Sequence, residues 1–158
     1  MKKITGSVTA PRGFLAQGVC ADIKKKDKKD VALIYSQAPC TAAGTFTTNL
    51  VRAACVDVTR QHLANGQAQA IVVNSGNANA CTGEQGWQDT IQMAQITAQC
   101  LNIDPHDVVV ASTGVIGVPM CMEKIEKGIT AAAVGLSPDG SHNAALAIMT
   151  TDLVSKEM

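Results

Sequence analysis

Two stretches of the chain share one layout, and this layout constrains the fold more than any other feature. In residues 71–83 and 108–117, a run of β-branched residues passes into glycine and small polar residues and then leads toward a helical pattern. A chain that leaves a strand in this way and enters a helix presents backbone N–H groups without partners, and glycine lets a ligand approach them closely. Two such exits predict one shared site for an anion or an oxyanion.

Composition favours a folded domain. Hydrophobic residues make up 46% of the 158 residues and charged residues 16%, which argues against disorder, and we expect a single domain over residues 1–158. The formal net charge is zero and aromatics are 3%, so the chain lacks the basic surface and stacking platform of a nucleic-acid binder. It also lacks an apolar run of about 18 residues, and residues 5–7 interrupt a signal-like start. We expect a soluble protein with no nucleic-acid or membrane partner.

The six cysteines lie far apart. None forms a Cys-x-x-Cys pair, and no histidine pair lies near them, so the pattern predicts neither a zinc site nor a redox motif. Reduced thiols and a cytoplasmic location are the expectation.

The first half of the sequence is predicted to be rich in strands and the second half to alternate strands with helices, which indicates a mixed α/β fold. Strands are predicted at residues 18–23, 31–35, 45–50, 54–58, 71–74 and 108–111. The first two should form a hairpin with a solvated, charged tip at residues 24–30. Helices are predicted at residues 59–65, 82–101, 122–134 and 141–149.

Local signals refine these helices. Gly66 should end the first helix in the left-handed conformation, and Thr82 with Gln85 fits a capping box at the start of the second. In that second helix we expect an inward apolar stripe formed by Trp87, Ile91, Ala94, Ala98 and Leu101. A doubly wound parallel sheet is compatible with the pattern, but neither a Gly-x-Gly-x-x-Gly fingerprint nor a Walker lysine is present.

Acyl transfer needs a nucleophile, a base and donors aimed at the developing oxyanion. The residues supply convincing donors only, namely the Thr113 hydroxyl and the Gly114 N–H. A Gly-x-Ser-x-Gly elbow is absent, and none of the three histidines lies in a triad-like pattern. From the residues alone, the segment 112–117 is equally an ordinary helix-capping turn or an oxyanion site.

Three motifs together resemble the ornithine acetyltransferase / N-acetylglutamate synthase family of arginine biosynthesis. They are Asn-Ser-Gly-Asn-Ala-Asn-Ala-Cys-Thr-Gly at 74–83, Ser-Thr-Gly-Val-Ile-Gly at 112–117 and Ala-Ile-Met-Thr-Thr-Asp at 147–152. Residues 10–14 and 28–34 add support, so the resemblance extends along essentially the whole chain.

The resemblance implies a layered αββα sandwich with mixed sheets, of which this chain is the N-terminal portion. It also implies a precursor that cleaves itself at an Ala-Thr bond, leaving a β chain whose N-terminal threonine is the nucleophile. That threonine carries acetyl from N-acetylornithine to glutamate by a ping-pong route, and bifunctional members also accept acetyl-CoA. By this resemblance, Thr113 and Gly114 form the oxyanion hole, Thr150 contacts substrate, no further cofactor is needed, and the subunits assemble as α₂β₂.

The chain departs from the family pattern because its 158 residues contain no Ala-Thr pair. Lys156 also fails to match the substrate-contacting lysine that family α chains carry further on. We therefore expect most of an α chain, inactive without its β chain, with an exposed apolar seam. Two other functions stay open, a non-catalytic module for a small acyl or amino-acid ligand and a pure assembly partner. An N-terminal-nucleophile aminopeptidase would use the same oxyanion chemistry but fits the motifs less well.

Overall fold

The computed structural model describes residues 5–24 and 27–157. Within them, four strands and four α-helices follow one another in the order β1 (Phe14–Val19), β2 (Val31–Thr41), α1 (Ala54–His62), β3 (Gln67–Asn77), α2 (Gly83–Leu101), β4 (Val108–Val115), α3 (Met122–Val134) and α4 (Ser141–Ile148). The strands form one sheet in the order β1-β2-β3-β4. The first three are antiparallel and β3 pairs with β4 in parallel. The mixed α/β class is confirmed.

The two faces of the sheet carry different helices because successive side chains of a strand point to opposite sides. On β2, Val31 and Leu33 belong to the main core, which α1, α2 and α3 cover. Ala32 faces the other way and joins a small cluster with α4, where Ala144 and Ala147 are buried. Small alanines on both surfaces let the short helix α4 approach the sheet closely.

Most predicted elements are confirmed. The early hairpin exists, but its first strand is Phe14–Val19, so the predicted strand at 18–23 is wrong beyond residue 19. Helices α2, α3 and α4 match the predicted helices. Helix α3 has the predicted bounds and buries Ile125, Ile129 and Ala132, because this apolar stripe has an unmistakable helical period. Gly66 ends the turn after α1 with φ of 73°, as predicted.

The strands predicted at residues 45–50 and 54–58 are wrong. Residues 45–50 form no regular element, and residue 54 begins α1. Cys55, Val58 and Thr59 are the buried residues of that helix, a spacing of three and four that marks a helical face. The alternation of Val56 and Val58 resembles a strand only because the window is short.

The capping box at Thr82 is also wrong. The Thr82 hydroxyl donates to Asn79 Oδ1 at 2.7 Å, and the Gln85 amide donates to Asp89. The Thr82 oxygen accepts no N–H of the helix, and its hydroxyl is directed to Asn79 instead.

The inward stripe of α2 is confirmed only in part. Ala94 and Ala98 are buried, but Trp87 is half-exposed, and the buried face includes Thr90 and Thr97. These threonines tolerate burial because each hydroxyl donates to the carbonyl four residues earlier at 2.8 Å. In the described ranges, none of the helices combines the length and the apolar character needed to cross a bilayer.

Candidate functional site

The two predicted strand exits lie side by side. Strands β3 and β4 are parallel neighbours, and Ser75 pairs with Thr113 while Gly76 pairs with Gly114. The carboxyl ends of parallel strands meet at one edge of a sheet, which is a common place for ligand sites. The prediction that both exits contribute to one region is therefore confirmed.

The local geometry differs from the prediction in one respect. Strand β4 continues to Val115, and α3 begins only at Met122, so Ser112, Thr113 and Gly114 lie in the end of the sheet. The prediction that this segment presents free N–H groups at the start of a helix is therefore wrong. The pairing of β4 with β3 extends the strand through the small residues.

Two glycines allow the strand ends to come together. Gly76 and Gly114 have φ of 107° and 136°, a region that side chains disfavour. A Cβ atom on Gly114 would lie 2.3 Å from the carbonyl carbon of Gly76, which is closer than any real contact. Position 114 therefore requires glycine for both conformation and space.

An open pocket of about 780 Å³ lies at these strand ends. All three site residues expected from the sequence line it, namely Thr113, Gly114 and Thr150. Thr113 is half-buried, while Gly114 and Thr150 are exposed, so all three are accessible from solvent. The other lining residues are Ile23, Lys24, Lys28, Gly76, Val115 and Thr151.

Two hydrogen bonds bring Thr150 to the pocket. Helix α4 ends at Ile148, and the buried Ser75 hydroxyl donates to the carbonyl of Ala147. The Lys24 ammonium donates to the carbonyl of Met149 at 2.8 Å. The last carbonyls of a helix have no partner within it, so Ser75 and Lys24 supply partners just before Thr150.

Asp30 holds the segment that carries Lys24. Its carboxylate is fully buried and accepts backbone N–H groups from Ala21 and Ile23 at 2.7 Å and from Lys24 at 3.0 Å. The prediction of a wholly solvated tip at residues 24–30 is thus wrong at both ends, and residues 25–26 lie outside the described residues. The available signal was a carboxylate directly before an apolar strand, a position where burial requires several donors.

The charge on Lys24 is partly desolvated. Burial lowers the pKa of its ammonium from the ordinary value, Asp30 acts in the opposite direction, and Lys28 adds repulsion. Lys24 and Ser75 are the site residues that sequence analysis missed, because their roles depend on contacts with distant parts of the chain.

Buried asparagines support the strand exits from beneath. Asn74 donates to the Asn77 carbonyl at 2.8 Å, and Asn77 donates to the Val118 carbonyl at 2.9 Å. Two buried atoms at this level, Asn74 Oδ1 and Ser112 Oγ, have no hydrogen-bond partner within normal distance in the described part of the chain.

The histidines lie away from the pocket. His62 contacts the Val108 carbonyl at 2.8 Å, while His106 pairs with the exposed Asp104 and His142 with the half-buried Glu157. Within residues 5–24 and 27–157, no group of three or more His, Cys, Asp or Glu side chains has an arrangement that could hold a metal ion. The pocket offers hydroxyls, backbone amides and an ammonium, which suit a ligand with carbonyl or carboxylate oxygens.

The fold and the pocket define a class of mixed α/β protein with a ligand-sized cavity at its parallel strand ends. The profile of the ArgJ family matches residues 15–158, and the chain belongs to that family.

Relatives and solved structures agree with this assignment. The arginine biosynthesis bifunctional protein ArgJ of Symbiobacterium thermophilum is 57% identical over 159 residues, which cover 99% of this chain and 40% of the relative. The protein of the same name from Synechocystis is 54% identical, over 97% of this chain and 37% of the relative. The chain thus spans about two fifths of the length of these curated relatives.

Two crystal structures share the fold. The ArgJ protein of Bacillus halodurans has a TM-score of 0.87 at 40% identity, over 94% of this chain and 78% of that one. The ornithine acetyltransferase of Mycobacterium tuberculosis, complexed with ornithine, has a TM-score of 0.91 at 42% identity, over 94% of this chain and 81% of that one.

Proposed function

We propose that this chain is the α-chain part of an ornithine acetyltransferase of arginine biosynthesis, which moves acetyl from N-acetylornithine to glutamate. The observation that carries the proposal is the convergence of Thr113, Gly114 and Thr150, from separate elements, on one open pocket. Membership in the ArgJ family and the names of the relatives support the same activity.

The proposed reaction has two balanced halves. A threonine hydroxyl attacks the acetyl carbonyl carbon of N-acetylornithine, the C–N bond breaks, and the hydroxyl proton passes to the leaving amine of ornithine. The amine of glutamate then attacks the acetyl-threonine ester and forms the new C–N bond. The threonine oxygen leaves and takes up the proton that the amine loses.

Thr113 and Gly114 would stabilise the negative oxygen that develops in each half. The Thr113 hydroxyl and the Gly114 N–H are the proposed donors, and one donor of this kind typically contributes about 10²–10³ in rate. Thr150, across the pocket, would contact the substrate. The proposal needs no metal or prosthetic group, and acetyl-CoA would be a second acetyl donor.

The nucleophile would come from a β chain of the same precursor. The 158 residues contain no Ala-Thr pair at which the precursor could cleave, and we propose that they are inactive alone and work in an α₂β₂ assembly. Val115 ends the pocket strand β4, and Ile116 and Val118 follow it; these three side chains are 59%, 64% and 48% exposed. Apolar side chains in a row beside a site are typical of a surface that a partner covers. The absence of paired-cysteine motifs favours the cytoplasm as the place of the reaction.

The test compares variants of the complete gene product that contains this chain. Thr113→Val removes the proposed donor and keeps the shape of the side chain, so acetyl transfer to glutamate should fall by about 10²–10³. Thr130→Val is the matched control, because the Thr130 hydroxyl bonds to Glu126 on the exposed side of α3. Equal rates in the two variants would refute the oxyanion role.

A second measurement addresses the partner. The 158-residue chain alone should not transfer acetyl, and activity should appear when a β chain is added. Transfer by the isolated chain would overturn the need for a partner. Tight binding of N-acetylornithine by the isolated chain, without activity in the complete gene product, would favour the non-catalytic binding module instead.

A further inference from the structure

We infer that Lys24 is a positioning residue of the pocket, which fixes Thr150 in place through the carbonyl of Met149. The inference rests on the proposed function, because it concerns the substrate contact assigned to Thr150. Lys24 lies 125 positions before Met149 in the chain, and its ammonium donates to that carbonyl at 2.8 Å.

The path of the lysine stem supports this role. A Cβ atom on Gly76 would lie 2.7 Å from Lys24 Cγ, so the stem crosses directly over the glycine that pairs with Gly114. The side chain therefore passes along the floor of the pocket before it reaches Met149. Only a glycine at position 76 leaves room for it.

The backbone of Lys24 is hydrogen-bonded, as its ammonium is. The buried carboxylate of Asp30 accepts the backbone N–H of Lys24, and the carbonyl of Asp30 accepts the N–H of Ser75. One buried residue thus ties the Lys24 turn to strand β3. A half-buried lysine with a fixed backbone and a stem that lies over Gly76 loses less entropy than a free one when its ammonium binds a carbonyl.

Ser75 provides the second attachment of the same segment. Its hydroxyl donates to the carbonyl of Ala147, two residues before Met149. Beyond Met149, Thr150 lies in a stretch with no regular secondary structure. The two attachments at Ala147 and Met149 therefore determine where Thr150 enters the pocket.

The mobility experiment uses the complete gene product with Lys24→Met, which keeps an apolar stem over Gly76 and removes the donor. The backbone order parameters of residues 149–152, from ¹⁵N relaxation, should fall toward the values of a flexible loop, below about 0.6. Lys24→Arg keeps a charged donor and should restore part of the order. Lys127→Met, on the exposed side of α3, is the control and should have wild-type order parameters at these residues.

The functional experiment separates positioning from a general loss of structure. In Lys24→Met, KM for N-acetylornithine should rise about tenfold while kcat stays within about twofold, because the lost contact affects substrate binding. Calorimetry with ornithine should show a similar weakening of Kd. A fall in kcat with unchanged KM would contradict the inference.

The outcomes also distinguish this inference from the proposed function. If the wild type transfers no acetyl, the proposed function fails, and the order parameters together with ornithine binding still decide the role of Lys24. Unchanged order parameters at residues 149–152 in Lys24→Met would overturn the inference even in an active enzyme. Lower order parameters with unchanged ornithine affinity and KM would overturn the link from Lys24 to substrate.

Discussion

The ends of β3 and β4, with the residues just beyond them, have similar sequence layouts and opposite environments. At the end of β3, Asn77 and, two residues on, Asn79 are buried, and their side chains bond to neighbouring groups. At the end of β4, Val115 is exposed, as are Ile116 and Val118 beyond it. The comparison teaches that the residues after a small-residue strand end decide its role. Buried amide side chains make the end of β3 an internal support, and apolar side chains make the end of β4 an exposed surface.

The residues at the end of β3 also hydrogen-bond to the residues at the end of β4. Asn77 donates to the Val118 carbonyl at 2.9 Å, and the backbone of Ala78 donates to Val115 at the same distance. Gly117 in turn donates to Ala80 at 2.8 Å. The exit of β3 therefore lies alongside the exit of β4 and bonds it at three places, which keeps the apolar side chains directed outward.

The largest effect should come from Gly114→Ala, where the two exits meet. The new Cβ atom would lie 2.3 Å from the Gly76 carbonyl carbon, and φ of 136° is strained for alanine. We expect a loss of about 3 kcal/mol in the free energy of unfolding, measured by denaturant titration of the complete gene product.

Gly117→Ala is the matched control for this clash. Gly117 also has a positive φ, of 76°, but open space surrounds its missing Cβ. Strain alone should cost about 1 kcal/mol. Equal losses in the two variants would show that close approach of the strands is unimportant.

Sequence analysis predicted the parts of this comparison that depend on local pattern. The bounds of α3 follow from its apolar period, and the adjacency of the two exits follows from their common layout. Thr113 and Gly114 were expected as donors from the strand exit itself, whereas Thr150 was expected only from the family resemblance; all three line the pocket.

The parts that failed depend on contacts between distant residues. Residues 54–58 form a helix whose inward face is fixed by tertiary packing, since Cys55 belongs to the main core and Val58 is buried. The roles of Lys24 and Ser75 exist only because α4 ends beside them. The lysine-rich tip predicts a solvated turn, and the only local sign of a buried Asp30 is its place directly before an apolar strand; its three backbone donors come from the other side of the turn.

The second-largest loss of stability should come from the buried asparagine just beyond β3. Asn79 is fully buried, and its amide donates to the Gly86 carbonyl at 2.7 Å and to the Thr90 hydroxyl at 2.9 Å. Asn79→Ala leaves both acceptors and the Thr82 hydroxyl without this partner, so unfolding should require about 2 kcal/mol less. Thermal and denaturant unfolding measure this loss.

Ser112→Ala is the counterpart in β4. The buried Ser112 hydroxyl has no hydrogen-bond partner of normal geometry in the described part of the chain and lies beside only the weakly hydrogen-bonding thiol of Cys55, so its removal should change stability by no more than about 0.5 kcal/mol. A loss as large as that of Asn79→Ala would mean that both exits are supported by side-chain hydrogen bonds. The contrast between them would then fail.

A smaller effect concerns the surface formed by Val115, Ile116 and Val118. If a β chain covers it, Ile116→Glu should weaken association of the two chains by about tenfold, because burial of a carboxylate without a partner is unfavourable. Analytical ultracentrifugation of the cleaved product gives the dissociation constant. Val134→Glu changes another exposed apolar residue, at the end of α3 and away from the pocket, and should leave association unchanged. Equal weakening by both variants would contradict a specific interface at Ile116.

The smallest effect is a shift in the pKa of Lys24, a pocket residue whose stem lies over Gly76 of β3. Burial and repulsion from Lys28 lower its pKa from the ordinary 10.5, while Asp30 opposes both. Lys28→Met removes the repulsion, so the pKa of Lys24 should rise toward 10.5 in an NMR titration of its ammonium. Because the unfolded chain holds the proton more tightly, the free energy of unfolding increases with pH in the window just below 10.5. That increase should be shallower in Lys28→Met, and a pKa that falls in this variant would show that Lys28 does not face Lys24 across the pocket.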